Sequence, residues 1–116
     1  MKAELARCLR RDFGSVQDWP VAVTLPARNE ARRIVACLDA AAASLQGRGG
    51  IVLVVNGSRD ATFALAERWF RATGANGILL NDRQPPPGSG VGRVRRLAVA
   101  TSLGRLAPGG VIMTSD

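Results

Sequence analysis

The chain has 116 residues, 47% of them apolar, with 16 basic and 9 acidic side chains and a net charge of +7. That size and balance suit one globular domain, or part of one, and exclude a disordered chain. No apolar run approaches the roughly 18 to 20 residues that a bilayer span needs, and MKAELARCLRRDFG lacks the apolar core and cleavage site of a signal peptide, so a cytoplasmic protein is expected. With no His, and with Cys8 and Cys37 far apart, neither a zinc site nor a His-based triad can be assembled. Both thiols are expected to be reduced, Cys37 in a core. The positive charge would suit phosphates, nucleic acid or an anionic membrane surface. Fifteen of the basic residues are Arg, however, and they are spread along the sequence, while five aromatics with no Tyr leave no basic and aromatic stripe for single strands.

Residues 1–17 read as a short amphipathic helix with Leu5, Cys8, Leu9 and Phe13 on one side, so that 1–19 forms an N-terminal segment ahead of a domain at 20–116. A first strand is predicted at about 21–25. Ala31, Ile34, Val35, Leu38, Ala41, Ala42 and Leu45 then repeat at helical spacing, with Asn29 as the N-cap and Gly47 as the stop. After the GRGG turn a second strand is expected at about 51–55, then a helix over about 61–73 capped by Asp60 or Ser58, presenting Leu65, Trp69 and Ala72 and ending at Gly74. A third strand at about 77–80, the loop QPPPGSGVG, a helix at about 93–106 and a fourth strand at about 110–114 complete the series.

The strands are continuous Val, Ile and Leu runs, which means parallel strands buried on both faces by helices. Right-handed crossovers favour a Rossmann-like α/β sheet with its four predicted strands in the order 3-2-1-4, switching direction between the first and the fourth. Ligands bind at the carboxyl edge of such a sheet, and each run here breaks off into a polar tip there: PARNE, VNGSRDAT, ND and TSD. Asn29, Glu30 and Asp116 are expected to flank the crevice at the switch point.

PARNE places an amide and a carboxylate at a helix N-terminus, where free backbone N–H groups point outward. Asn56-Gly57-Ser58-Arg59-Asp60-Ala61-Thr62 is a second turn and cap. Gly88-Ser89-Gly90-Val91-Gly92 runs into Arg93, Arg95 and Arg96, a combination of backbone donors and guanidinium groups that can hold a diphosphate. Asp116 is a carboxylate candidate for a hard divalent cation.

Taken in order, PARNE at 26–30, VNGSRDAT at 55–62, GVGRVRRLAV at 90–99 and MTSD at 113–116 resemble the N-terminal half of the family 2 glycosyltransferases of the GT-A fold, over about residues 20–116. The resemblance implies an inverting transfer of a sugar from a nucleoside-diphosphate sugar to an acceptor. It places Pro26, Ala27, Asn29 and Glu30 around the nucleoside, Asn56 near the base or ribose, and Asp116 as the first Asp of a metal motif holding Mg or Mn, with phosphate contact moved to Arg93, Arg95 or Arg96. Val55 and Asn56 stand where the family carries an acidic pair, so the carboxylate that commonly reads the uracil edge is absent and the donor base stays open. Val91 stands for the expected Lys and Arg96 for the expected Asn. The second Asp of the metal motif, the acceptor-binding half and the general base would lie beyond Asp116, so the expected identity is an N-terminal fragment, inactive alone, with apolar sheet surface uncovered beside the fourth strand.

A nucleotidyltransferase or methyltransferase would carry a Gly-rich turn directly after the first strand, where PARNE stands instead. The alternatives from other classes are a non-enzymatic basic module for nucleotides or nucleic acid, argued from charge, and a pseudo-enzyme or interaction domain.

Overall fold

A computed structural model describes residues 8–15, 18–83 and 90–115 of the protein. Its elements are β1 (Leu9–Phe13), β2 (Trp19–Ala27), α1 (Ile34–Leu45), β3 (Gly50–Asn56), α2 (Thr62–Thr73), β4 (Gly77–Asp82), α3 (Val91–Leu103) and β5 (Leu106–Thr114). One five-stranded sheet runs in the order β1-β4-β3-β2-β5. β3 is parallel to both β2 and β4, and β5 is parallel to β2. The expected order 3-2-1-4 is therefore present as β4-β3-β2-β5.

The sheet is mixed, not wholly parallel, because β1 joins the β4 edge antiparallel, Leu9 opposite Asn81 and Phe13 opposite Gly77. This overturns the N-terminal helix over the residues described. Cys8 is buried on the α3 side of the sheet and Phe13 packs on the α1 and α2 side, as the period of two in a strand requires for residues of opposite parity. Phe13 stacks on Phe70 with ring centroids 4.8 Å apart. The charged middle of β1 stays at the surface, where Arg10 pairs with Asp12 at 2.8 Å and Arg11 with Glu67 at 3.3 Å, and Arg105 also pairs with Asp12. Residues 1–7, 16 and 17 of the expected helix lie outside the described part.

Two cores lie on opposite faces of the sheet. Leu25, Ile51, Leu53, Val55 and Leu79 meet Ile34 and Leu38 of α1 and Trp69 and Phe70 of α2. Ala22, Val52, Val54, Ile78 and Leu80 meet Val94, Leu97 and Ala98 of α3. Every residue of β3 is buried, the environment that a central parallel strand needs. The Gly-rich turn before β3 admits this packing: Gly49 has φ +104, and a Cβ there would stand 1.8 Å from the Val21 carbonyl oxygen.

The buried stripe of α1 is Ile34, Leu38, Ala41 and Leu45. Cys37 falls off that stripe and is exposed, contrary to expectation, whereas Cys8 is buried. Ala72 of α2 is likewise exposed, and Ala66 and Phe70 take the inner face. Gly74, φ +69, ends α2 as expected, and the α1 stop begins one residue early, at left-handed Gln46.

β5 is the second edge of the sheet. Val111 lies opposite Val21, on the α1 and α2 side, yet Val111 is 55% and Met113 49% exposed. An uncharged edge strand with apolar side chains in solvent is a template for pairing. The protein is accordingly expected to self-associate as its concentration rises through the micromolar range, and the Val111→Lys/Met113→Lys variant to sediment as a monomer. A wild type that stays monomeric would contradict this.

Candidate functional site

The parallel strands β2, β3 and β4 end side by side, with Ala27 opposite Val55 and Asn56 opposite Asp82. The loops that leave β2 and β3 are consequently neighbours, and they are bonded to each other. The Asn29 N–H donates to Ser58 Oγ (2.8 Å), the Glu30 N–H to Thr62 Oγ1 (2.9 Å) and the Ala31 N–H to Asp60 Oδ2 (3.2 Å). In return the Arg59 N–H donates to Asn29 Oδ1 (2.8 Å). Asp60 Oδ1 accepts the Thr62 N–H (3.0 Å) and also the Thr62 hydroxyl.

These bonds revise two expectations. The backbone N–H groups of 29–31 do not point outward for a ligand; side chains of the following loop have taken them. Asn29 does not cap α1. Its φ of +52, a conformation that Asn tolerates better than most residues, turns the chain so that its amide meets Arg59. α1 instead begins through the Glu30 carbonyl, which accepts the Ile34 N–H at 2.8 Å. Asp60 stands one residue ahead of the expected cap position: Ala61 is the N-cap of α2, without a side-chain cap bond, and Asp60 Oδ1 accepts the N–H of the first helical residue, Thr62. Glu30 forms a forked, solvent-facing pair with Arg33, through Nε at 3.0 Å and Nη2 at 3.2 Å, a contact of small energetic weight.

On the α3 side of the same edge, Asn56 continues the Val52 and Val54 row and Asp82 the Ile78 and Leu80 row. The Asp82 carboxylate is 1% exposed and lies 2.7 Å from Arg93 Nη2 in the first turn of α3. Removing one partner of such a buried pair typically costs about 3–5 kcal/mol, because the other charge is left unsolvated. Asn56 is 7% exposed, and its Oδ1 makes no hydrogen bond in this structure.

Between β2, β5 and α3, at the switch point, a crevice too narrow to hold a water molecule is lined by Thr24, Pro26, Val94, Arg95, Thr114 and Ser115. Pro26 thus reaches the crevice. Ala27 is buried in the core on the opposite face and offers no side chain to it. Arg93 is buried against Asp82, and Arg96 lies on the exposed outer surface of α3 with Val99 and Leu103; Arg95 is the guanidinium at the crevice. Asp116 and residues 88 and 89 of the Gly-rich loop lie outside the described residues. Asp82 was not singled out from the sequence, and the signal that could have found it is its parity with Ile78 and Leu80 at the end of a buried run.

Among the described residues no three His, Cys, Asp or Glu side chains come together. Glu30, Asp60 and Asp82 each have internal partners. No described helix is long and apolar enough to cross a membrane. No family model, curated protein or solved structure matches the chain.

The Thr62 hydroxyl bond, followed by backbone donors, holds the Asp60 carboxyl below its ordinary value of 3.8, and the Arg10 bond does the same for Asp12. A carboxyl that binds protons less readily when folded contributes stability above its unfolded pKa, and that stability is lost as pH falls through the folded value. Stability should therefore fall as pH drops below about 4. Asp60→Asn should be less stable than wild type at neutral pH and lose less on acidification, as measured by urea midpoints across pH. Parallel pH profiles for the two proteins would refute the role of Asp60.

Proposed function

We propose that this chain is the nucleotide-sugar-binding part of an inverting glycosyltransferase of GT-A type. The observation that carries the reading is the bonding of PARNE to NGSRDAT: the two most specific segments of the resemblance meet at the carboxyl edge, beside the switch point between β2 and β5. Open α/β sheets bind ligands there.

Each residue has a definite part in this reading. Arg95, exposed on α3 beside the crevice, meets the diphosphate outside it through its fork of donors. Asn56 Oδ1, without an internal partner, accepts an N–H or hydroxyl of the nucleoside. Asn29, Ser58, Asp60 and Thr62 touch no reacting atom and keep the edge rigid, so that the donor is bound without ordering a loop. In the transfer, the acceptor oxygen bonds to the anomeric carbon as the bond to the diphosphate breaks, and the acceptor proton passes to a base. The carboxylates described at this edge are occupied, so that base is sought elsewhere.

Calorimetric titration with a panel of nucleoside diphosphates tests the reading. Binding should discriminate among bases and weaken about tenfold in Arg95→Gln, the loss of one charge-assisted contact. Equal binding of every nucleotide, with affinity for any nucleic acid that falls by about 10³-fold between 50 and 200 mM salt, would instead indicate a basic nucleic-acid module.

A further inference from the structure

The two edges of the sheet are built differently. β1 carries Arg10, Arg11 and Asp12 along its middle, and charged side chains of that kind keep an edge from pairing with another strand. β5 has no charged residue between Leu106 and Thr114, in a chain of net charge +7. A second copy approaching β5 therefore meets no like charge on the strand itself.

The backbone decides which groups of β5 are open. The Ser115 N–H donates to the Thr24 carbonyl at 3.1 Å, and Thr24 stands opposite Thr114, so residues 111, 113 and 115 turn their N–H and C=O groups toward β2. Successive residues of a strand alternate, and Gly110, Ile112 and Thr114 turn theirs to the open edge. Toward the amino end this edge stops at Gly110, because Gly109 has φ +78 and Pro108 has no N–H. The open ladder is thus residues 110–114, centred on Ile112.

An antiparallel partner bonds to this ladder when residues with outward groups face one another. A twofold axis through Ile112 achieves that for the whole window: Ile112 faces its own copy and Gly110 faces Thr114. Val111 then faces Met113 of the other copy, at the closer, non-hydrogen-bonded Cα spacing of about 4.5 Å. These are the apolar side chains of β5 that stand in solvent, 55% and 49% exposed and both on the α1 and α2 side. Moving the axis one residue toward the amino end would set Thr114 against Pro108, which has no N–H; moving it the other way would set Val111 against Ser115.

We propose that β5 pairs antiparallel with β5 of a second copy about a twofold axis through Ile112, joining two five-stranded sheets into one. The contact is self-complementary, and the charged β1 edges leave the joined sheet no strand on which to add further copies, so association closes at the dimer. One short strand is a small contact against the standard interface of about 1,600 Å², which sets a dissociation constant on the order of 50 µM. The dimer rests on β5 alone and does not require the transferase reading.

Amide hydrogen exchange in the wild type reads the open ladder. The Ile112 and Thr114 N–H groups should exchange about fivefold more slowly at about 1 mM chain than at about 10 µM, the change that mass action gives for such a constant. Those of Val111 and Met113, which face β2, should change little. The register is read by disulfide formation in a Cys37→Ser background, which removes the exposed native thiol. A mixture of Val111→Cys and Met113→Cys chains should cross-link about tenfold faster than either variant alone, because only unlike variants bring the two sulfurs within reach in this register. Cross-linking fastest in one variant alone, equal rates in all three samples, or exchange at Ile112 and Thr114 that does not depend on concentration would overturn the proposal.

Discussion

Three consecutive backbone donors at the end of β2 govern the shape of the carboxyl edge. Strand pairing ends at Ala27, and the N–H groups of Asn29, Glu30 and Ala31 must find acceptors outside the sheet. They find them on Ser58, Thr62 and Asp60, because β3 is the parallel neighbour of β2 and its loop emerges alongside. The left-handed turn at Asn29, the late start of α1 and the double use of Asp60, which accepts the N–H groups of both Ala31 and Thr62, all follow from that need. The two polar segments that look like separate sites in the sequence are one structure.

The other side of the edge is held by charge. Burying Asp82 is tolerable only with a partner, and Arg93 supplies it from the first turn of α3, tying that helix to the ends of β3 and β4. An arginine that reads as a phosphate ligand in the sequence thus has a structural duty, and Arg95 is the arginine that lines the crevice. Both faces of the sheet are consequently fixed at its carboxyl edge, with Asn56 Oδ1 as a buried acceptor on the α3 side.

The central strands were legible because a strand buried on both faces has no polar alternation, and the Val, Ile and Leu runs at 21–25, 51–55 and 77–80 have none. β1 was not legible. Leu9-Arg10-Arg11-Asp12-Phe13 is an edge strand with an exposed, charged middle, and the coincidental spacing of Leu5, Cys8 and Leu9 matches a helix; pairing with β4 decides the matter. The clasp between the loops depends on side chains about 30 positions away from the amides they accept, which no local pattern encodes.

Amide hydrogen exchange at Asn29, Glu30 and Ala31 measures the clasp directly. These residues lie in a surface loop, yet their N–H groups should exchange far more slowly than those of an open loop, and Asp60→Asn should accelerate Ala31. Exchange at open-loop rates in the wild type would contradict the account, because the carboxyl edge would then lack the rigidity on which the proposed nucleotide site depends.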